Sequence, residues 1–183
     1  MKNKIIFLDI DGVICTIRKG FRDMDGKCMR WLGLLLWITG AKIVVSSAWR
    51  RGEIGLTKRR MLERGFVVKW HHRIIAETPD VFTKDGPTVP RGYEIKKWLY
   101  TNGYPYDFKD YVILDDDSDM LYRQRDNYVR TNPYFGLSLL TFAKVLKVFY
   151  FNKNYFKLFK WKLREVRVKI YLFLNPKTLR VKS

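Results

Sequence analysis

The chain is poor in the residues that carry metal–thiolate or disulfide chemistry. Two cysteines, Cys15 and Cys28, and two histidines occur among 183 residues. Their spacing matches no zinc or redox motif, so both cysteines are expected as reduced thiols in a cytoplasmic protein. A disulfide or a reactive thiol is the alternative. His71-His72 has no partner at metal spacing and reads as a loop or surface pair. Long apolar runs are also missing: no stretch of about 18 uninterrupted apolar residues exists, so no spanning helix is expected. The N-terminal run MKNKIIFLDIDG is broken by Asp9, which speaks against a signal peptide. No GxxxxGK[ST] pattern occurs, so no kinase half is read in this chain. Acids are scarce, with 18 Asp+Glu against 36 Lys+Arg and a formal charge of +18. That imbalance points to polyanionic partners, nucleic acid first and an anionic membrane surface second.

What is present suffices for a fold. Hydrophobic residues make up 47% of the chain, enough for a packed core, and this excludes a disordered basic tail. The length suits one domain with a small appendage. The charge is uneven along it. Residues 143–183 hold 12 Lys/Arg and one acid, Glu165, together with nine aromatics from Phe149 to Phe173. We therefore read a body, residues 1–145, followed by a basic aromatic C-terminal extension, residues 146–183.

The body alternates strand and helix signals. Short apolar runs predict strands at Lys4–Asp9, Ala41–Val45, Phe66–Trp70 and Tyr111–Leu114, with a further short one at Tyr128–Arg130. Helices are predicted at Lys27–Ile38, Thr57–Arg64, Tyr93–Tyr100 and Leu137–Phe149, several of them closed by glycine. This alternation predicts an α/β fold with a parallel sheet covered on both faces.

Two of those strands run into clustered carboxylates, Asp9-Ile10-Asp11-Gly12 and Asp115-Asp116-Asp117-Ser118-Asp119. In an open α/β sheet, ligands bind beyond the carboxyl ends of the strands. Acids crowded there repel one another unless a cation sits among them, and Mg²⁺ suits an all-oxygen set. A third strand runs into Ser46-Ser47, two hydroxyl donors able to hold a phosphate beside such a metal. A calcium EF-hand loop starting at Asp9 is excluded, because its twelfth position is Gly20 rather than Glu.

In order and strand context, these segments resemble the haloacid dehalogenase (HAD) superfamily, mostly phosphatases. The resemblance rests on IIFLDIDGV, IVVSS, PRGYEIKKWL and VILDDDSD. SSAWR, RGYEIKKWL, YVILDDDSDM and TNPYFGLS bring it closer to the HAD domains of nucleic-acid, especially RNA, repair proteins. These are loosely related to the phosphatase half of polynucleotide kinase-phosphatases. It covers roughly residues 4 to 145 and leaves the extension out.

The resemblance implies a HAD-like doubly wound parallel sheet with helices on both faces. It also implies specific roles. Asp9 would be the nucleophile, forming an aspartyl-phosphate, and Asp11 the general acid and then base. Asp9, the main-chain carbonyl of Asp11, and Asp115 would hold Mg²⁺, with Asp116 or Asp119 assisting. Ser46 would hydrogen-bond the phosphoryl oxygens, with Ser47 as a second donor. Arg91 would stabilise the phosphoryl group in flight in place of the commoner lysine, with Lys96 or Lys97 as the fallback. Arg50 is a candidate ligand for substrate phosphate.

The stretches between these motifs leave room for only a minimal cap, which suggests a site open to the end of a polymer. The leading function is then an Mg²⁺-dependent phosphomonoester hydrolase acting on terminal phosphates of nucleic acid, RNA or DNA. A small-molecule phosphatase such as a 5′(3′)-nucleotidase is the nearer alternative, and a non-catalytic nucleic-acid-binding module the more distant one. The extension could be an added core element, a nucleic-acid grip combining aromatics with lysines, or an amphipathic helix on an anionic membrane.

Overall fold

A computed structural model of the protein describes residues 4–81, 89–105 and 108–150. Its centre is a five-stranded, wholly parallel sheet in the order β3-β2-β1-β4-β5. The strands are β1 (Ile5–Leu8), β2 (Lys42–Val45), β3 (Ile74–Glu77), β4 (Tyr111–Asp115) and β5 (Tyr128–Arg130). The crossing helices are α1 (Gly26–Thr39), α2 (Ile54–Glu63), α3 (Arg91–Thr101) and α4 (Leu139–Tyr150). The chain winds outward from β1 in one direction, then returns to β4 on its other side. A doubly wound sheet opens a crevice at this switch, between the carboxyl ends of β1 and β4.

The central strands read as unbroken apolar runs because both their faces are buried. On one face Ile6, Leu8, Ile43, Val45, Val112 and Leu114 pack with residues from α1, α2 and α4. On the other, Ile5, Phe7, Val44, Tyr111 and Ile113 pack with Ile95 and Trp98 of α3. There Phe7 meets Trp98 edge to face, with ring centroids 5.4 Å apart. The apolar excess of α1 is explained by its position: Leu32, Leu35 and Leu36 are fully buried. The Asp25 side chain accepts the Lys27 amide at its start. Gly40 closes it in the left-handed region, φ 66°, with its amide bonded to the Leu36 carbonyl.

One predicted strand is corrected. Phe66–Trp70 does not join the sheet: Val68–Arg73 forms a 3-10 turn, and the edge strand β3 follows it. The β-branched Val67 and Val68 suggested a buried strand, yet both face solvent. Tertiary packing decides this segment, because the turn lets Trp70 bury its indole against Gly33 of α1. A Cβ at Gly33 would lie 2.7 Å from Trp70 Nε1. His71 and His72 lie within this turn, half-buried and exposed respectively. The helix expected from Thr57 begins three residues earlier, at Ile54.

Both cysteines are free and buried, and burial pushes the Cys15 thiol up to about 12 and the Cys28 thiol up to about 11. No helix among the described residues is long and apolar enough to cross a membrane. The helix α4 runs past the expected boundary at residue 145 to Tyr150. The remainder of the extension, residues 151–183, lies outside the described residues.

Candidate active site

Strand register brings the site together. Leu8 pairs with both Val45 and Leu114 across the sheet, so the next residue in each strand stands at the same level. Those residues are Asp9, Ser46 and Asp115. The alignment is fixed by the ladder itself: the Asp9 amide donates to the Leu114 carbonyl and the Ser46 amide to the Leu8 carbonyl, each at 2.9 Å.

Three carboxylates converge at this level. Oxygens of Asp9, Asp115 and Asp116 lie within 4.8 Å of one another. Asp115 is 1% exposed; its Oδ1 accepts the Asp117 amide at 2.9 Å, while its buried Oδ2 has no hydrogen-bond partner. Burial, reinforced by the Asp9 charge, pushes Asp115 from 3.8 up to about 8. Burial likewise raises Asp9 to about 6, although the Arg91 guanidinium and the Ser47 hydroxyl pull it back. Asp116 is also raised, first by its burial. Carboxylates held this close are unfavourable as bare anions, and Asp115 Oδ2 is buried with no hydrogen bond to offset its charge. An all-oxygen, strongly anionic donor set fits a hard divalent cation such as Mg²⁺.

Gly12 makes the third carboxylate possible. Its φ is +71°, and a Cβ there would run into the Asp116 carboxyl group. The glycine of the Asp-x-Asp-Gly turn is thus required both by backbone conformation and by the carboxylate facing it.

Arg91 closes the opposite side. Its Nη1 lies 3.5 Å from Asp9 Oδ1 and 3.9 Å from Asp115 Oδ2, and also donates to the Ser46 carbonyl. Arg91 is the first residue of α3, whose start is moored to the chain after β4. The Arg91 amide donates to Asp119 Oδ2 at 2.8 Å, and Gln124 Nε2 donates to the Gly92 carbonyl at 2.9 Å. Asp119 therefore stands outside the trio of carboxylates and caps the helix that carries Arg91. Lys96 and Lys97 are exposed farther along α3.

The remaining candidates divide. Ser46 Oγ is buried and has no partner, leaving it free to donate to a ligand. Ser47 is 1% exposed, and its Oγ accepts the Trp49 amide at 3.3 Å. Asp11 directs Oδ2 to the Trp49 indole and leaves Oδ1 buried without a partner. Arg50 is committed elsewhere. Its Nη1 donates to Glu94 Oε2 at 2.7 Å and to Thr78 Oγ1 at 2.5 Å, and its Nη2 lies 2.8 Å from Asp80. Both terminal nitrogens thus brace α3 against the chain after β3. Sequence reading missed Glu94, Gln124 and Trp49. Only Trp49 left a trace, as a large aromatic outside any apolar periodicity in SSAWRRG.

A family model described as "HAD domain in Swiss Army Knife RNA repair proteins" matches residues 5–141. The chain belongs to that family. The resemblance to the HAD domains of RNA repair proteins and the expected doubly wound α/β fold are both borne out, and the matched residues include every residue of the site described above. Comparison with curated proteins gave no match, and comparison with solved structures gave none.

Proposed function

We propose that this HAD domain is an Mg²⁺-dependent phosphomonoester hydrolase that removes terminal phosphates from nucleic acid. The observation that carries the reading is the register that sets Asp9, Ser46 and Asp115 level at the switch point, with Arg91 3.5 Å from Asp9. Family membership supports a phosphatase-type hydrolase of the RNA repair kind.

In this reading an Asp9 carboxylate oxygen attacks phosphorus. A P–O bond to Asp9 forms as the bond to the leaving oxygen breaks, and Asp11 gives that oxygen its proton. Asp11 then takes a proton from water, whose oxygen attacks the aspartyl-phosphate and releases phosphate with Asp9 restored. Arg91 grips non-bridging oxygens with its fixed fork, and the Ser46 hydroxyl donates to another. Ser47 holds the Asp9 carboxylate and the turn at Trp49. Asp9, Asp115, Asp116 and the Asp11 carbonyl would hold Mg²⁺, which supplies positive charge against the repulsion between carboxylate and phosphate dianion. Arg50 takes no part in binding the substrate in this scheme; it fixes α3.

The substrate class follows from access and charge. The connections 9–25 and 46–53 contain no folded unit beyond one 3-10 turn, Ile17–Lys19. A site so little covered by these connections admits a chain end. The +18 charge supplies affinity for a polyanion without sequence preference.

Asp9→Asn tests the chemistry. Turnover of a phosphorylated oligonucleotide should vanish while binding persists. In Asp11→Asn supplied with 4-nitrophenyl phosphate, whose leaving group needs little protonation, an acid-quenched reaction should show one phosphoryl group on Asp9 by mass spectrometry. Turnover that survives in Asp9→Asn would refute the nucleophile, and a wild-type protein that binds but never turns over would make this a binding module.

A further inference from the structure

Asp11 is flanked by an arrangement that the proposed reaction does not by itself require. Trp49 Nε1 donates to Asp11 Oδ2 at 2.9 Å. Trp49 is 6% exposed, and the Arg60 guanidinium carbon sits 4.3 Å from its ring centroid. At its other end the Trp49 amide donates to Ser47 Oγ at 3.3 Å. The tryptophan is thus held at its backbone by the phosphate-side loop and at its ring by α2. Among the described residues, Asp11 Oδ1 is buried and without a hydrogen-bond partner.

We propose that Trp49 is a positioning residue that fixes the carboxyl plane of Asp11, engaging Oδ2 so that Oδ1 alone faces the leaving oxygen, with Arg60 clamping the indole. This rests on the reading of Asp11 as general acid. An aspartate carboxyl rotates readily about its terminal torsion, so either oxygen could otherwise turn toward the reaction. A rigid neutral N–H donor fixes that rotation without adding a charge that would compete with the phosphate. Indole suits the task because it donates and never accepts. The proton passes from Oδ1 to the leaving oxygen as the P–O bond breaks, and Trp49 gains and loses nothing.

Two readouts separate this role from simple packing. The first needs no turnover. In ¹⁵N-labelled protein with assigned indole signals, the Trp49 Nε1–H resonance should lie downfield, move in Asp11→Ala, and stay near its native position in Asp11→Asn, which keeps an acceptor. An unmoved signal in Asp11→Ala would overturn the contact.

The second compares leaving groups. A nucleoside phosphate leaves as a poor alkoxide and needs the acid; 4-nitrophenyl phosphate leaves as a stable phenolate and needs it little. In Trp49→Phe the ratio of kcat/KM on the nucleoside ester to kcat/KM on the aryl ester, which reports the leaving-group step and not the shared hydrolysis of the aspartyl-phosphate, should fall about 10- to 100-fold. Arg60→Ala should move the ratio the same way by a smaller factor, and it serves if Trp49→Phe does not fold. A ratio unchanged in both, in an active enzyme, would overturn this inference and leave the phosphatase reading intact. A wild-type protein inactive on both esters would instead overturn the phosphatase reading and the role built on it.

Discussion

Stripping divalent cations and raising the pH should destabilise this protein, and Mg²⁺ should remove the effect. In the unfolded chain both Asp9 and Asp115 return to their ordinary value of 3.8, whereas folding raises them to about 6 and about 8. Over that window the native state holds protons that the unfolded chain has already lost. Stability therefore falls as pH rises, the reverse of the usual carboxylate case. It is greatest below the unfolded value and is lost as pH climbs through the folded ones. Because the two acids share one site, they titrate as a pair. One proton that the native pair retains and the unfolded chain has lost lowers stability by about 1.4 kcal/mol per pH unit, or about 4 kcal/mol across the window from about pH 5 to about pH 8. For a domain of this length that is a fall in Tm of roughly 10 °C between about pH 5 and about pH 8. Scanning calorimetry in chelator at stepped pH should show the slope. Excess Mg²⁺ should flatten it, because the cation stabilises the ionised pair. Asp115→Asn should reduce it, because one titrating group is gone. A flat or rising Tm in chelator, or an undiminished slope in Asp115→Asn, would refute the idea that burial and crowding dominate these acids.

Three further outcomes are expected. Gly12→Ala should cost about 1–3 kcal/mol by thermal unfolding and weaken Mg²⁺ binding measured by calorimetry, because the new Cβ displaces Asp116 from a backbone that already needs positive φ. Asp119→Ala should lower stability by about 1 kcal/mol through loss of the cap, and should lower kcat for phosphate release by freeing the residue that carries the guanidinium. Removing residues 151–183 should weaken oligonucleotide binding in fluorescence anisotropy and flatten its salt dependence, because that segment carries ten of the Lys/Arg, while hydrolysis of a small phosphate ester persists. Loss of folding on that deletion would show the segment to be part of the core instead.

How much could be read beforehand depended on how local each feature is. Strands β1, β2 and β4 were legible because both their faces are buried, so each is a short unbroken apolar run ending in polar residues. Edge strand β3 was not. Its Ile-Ile-Ala-Glu is half exposed, and the more strand-like FVVKW before it folds as it does only because Trp70 finds Gly33 on α1. The same division holds at the site. Asp9 follows β1 directly and Asp115 ends β4, so their meeting needed only the strand order. Asp119 sits in the same acidic run as Asp115 and Asp116 but turns to the Arg91 amide, a choice set by where α3 begins. Arg50 looked like a phosphate ligand three residues past Ser47, yet Glu94 and Asp80 arrive from elsewhere in the chain to take its donors. The bond from Trp49 to Asp11 crosses 38 residues, so nothing local in the sequence announces it.

The central claim is that Asp9 hydrolyses a phosphate carried at a nucleic-acid end. The most direct test is to measure phosphate release, with Mg²⁺ present, from 3′- and 5′-phosphorylated RNA and DNA oligonucleotides and from the matching mononucleotides. Asp9→Asn serves as the blank. The account predicts Asp9-dependent release with a higher kcat/KM on at least one oligonucleotide end than on any mononucleotide. A clear preference for mononucleotides would contradict it.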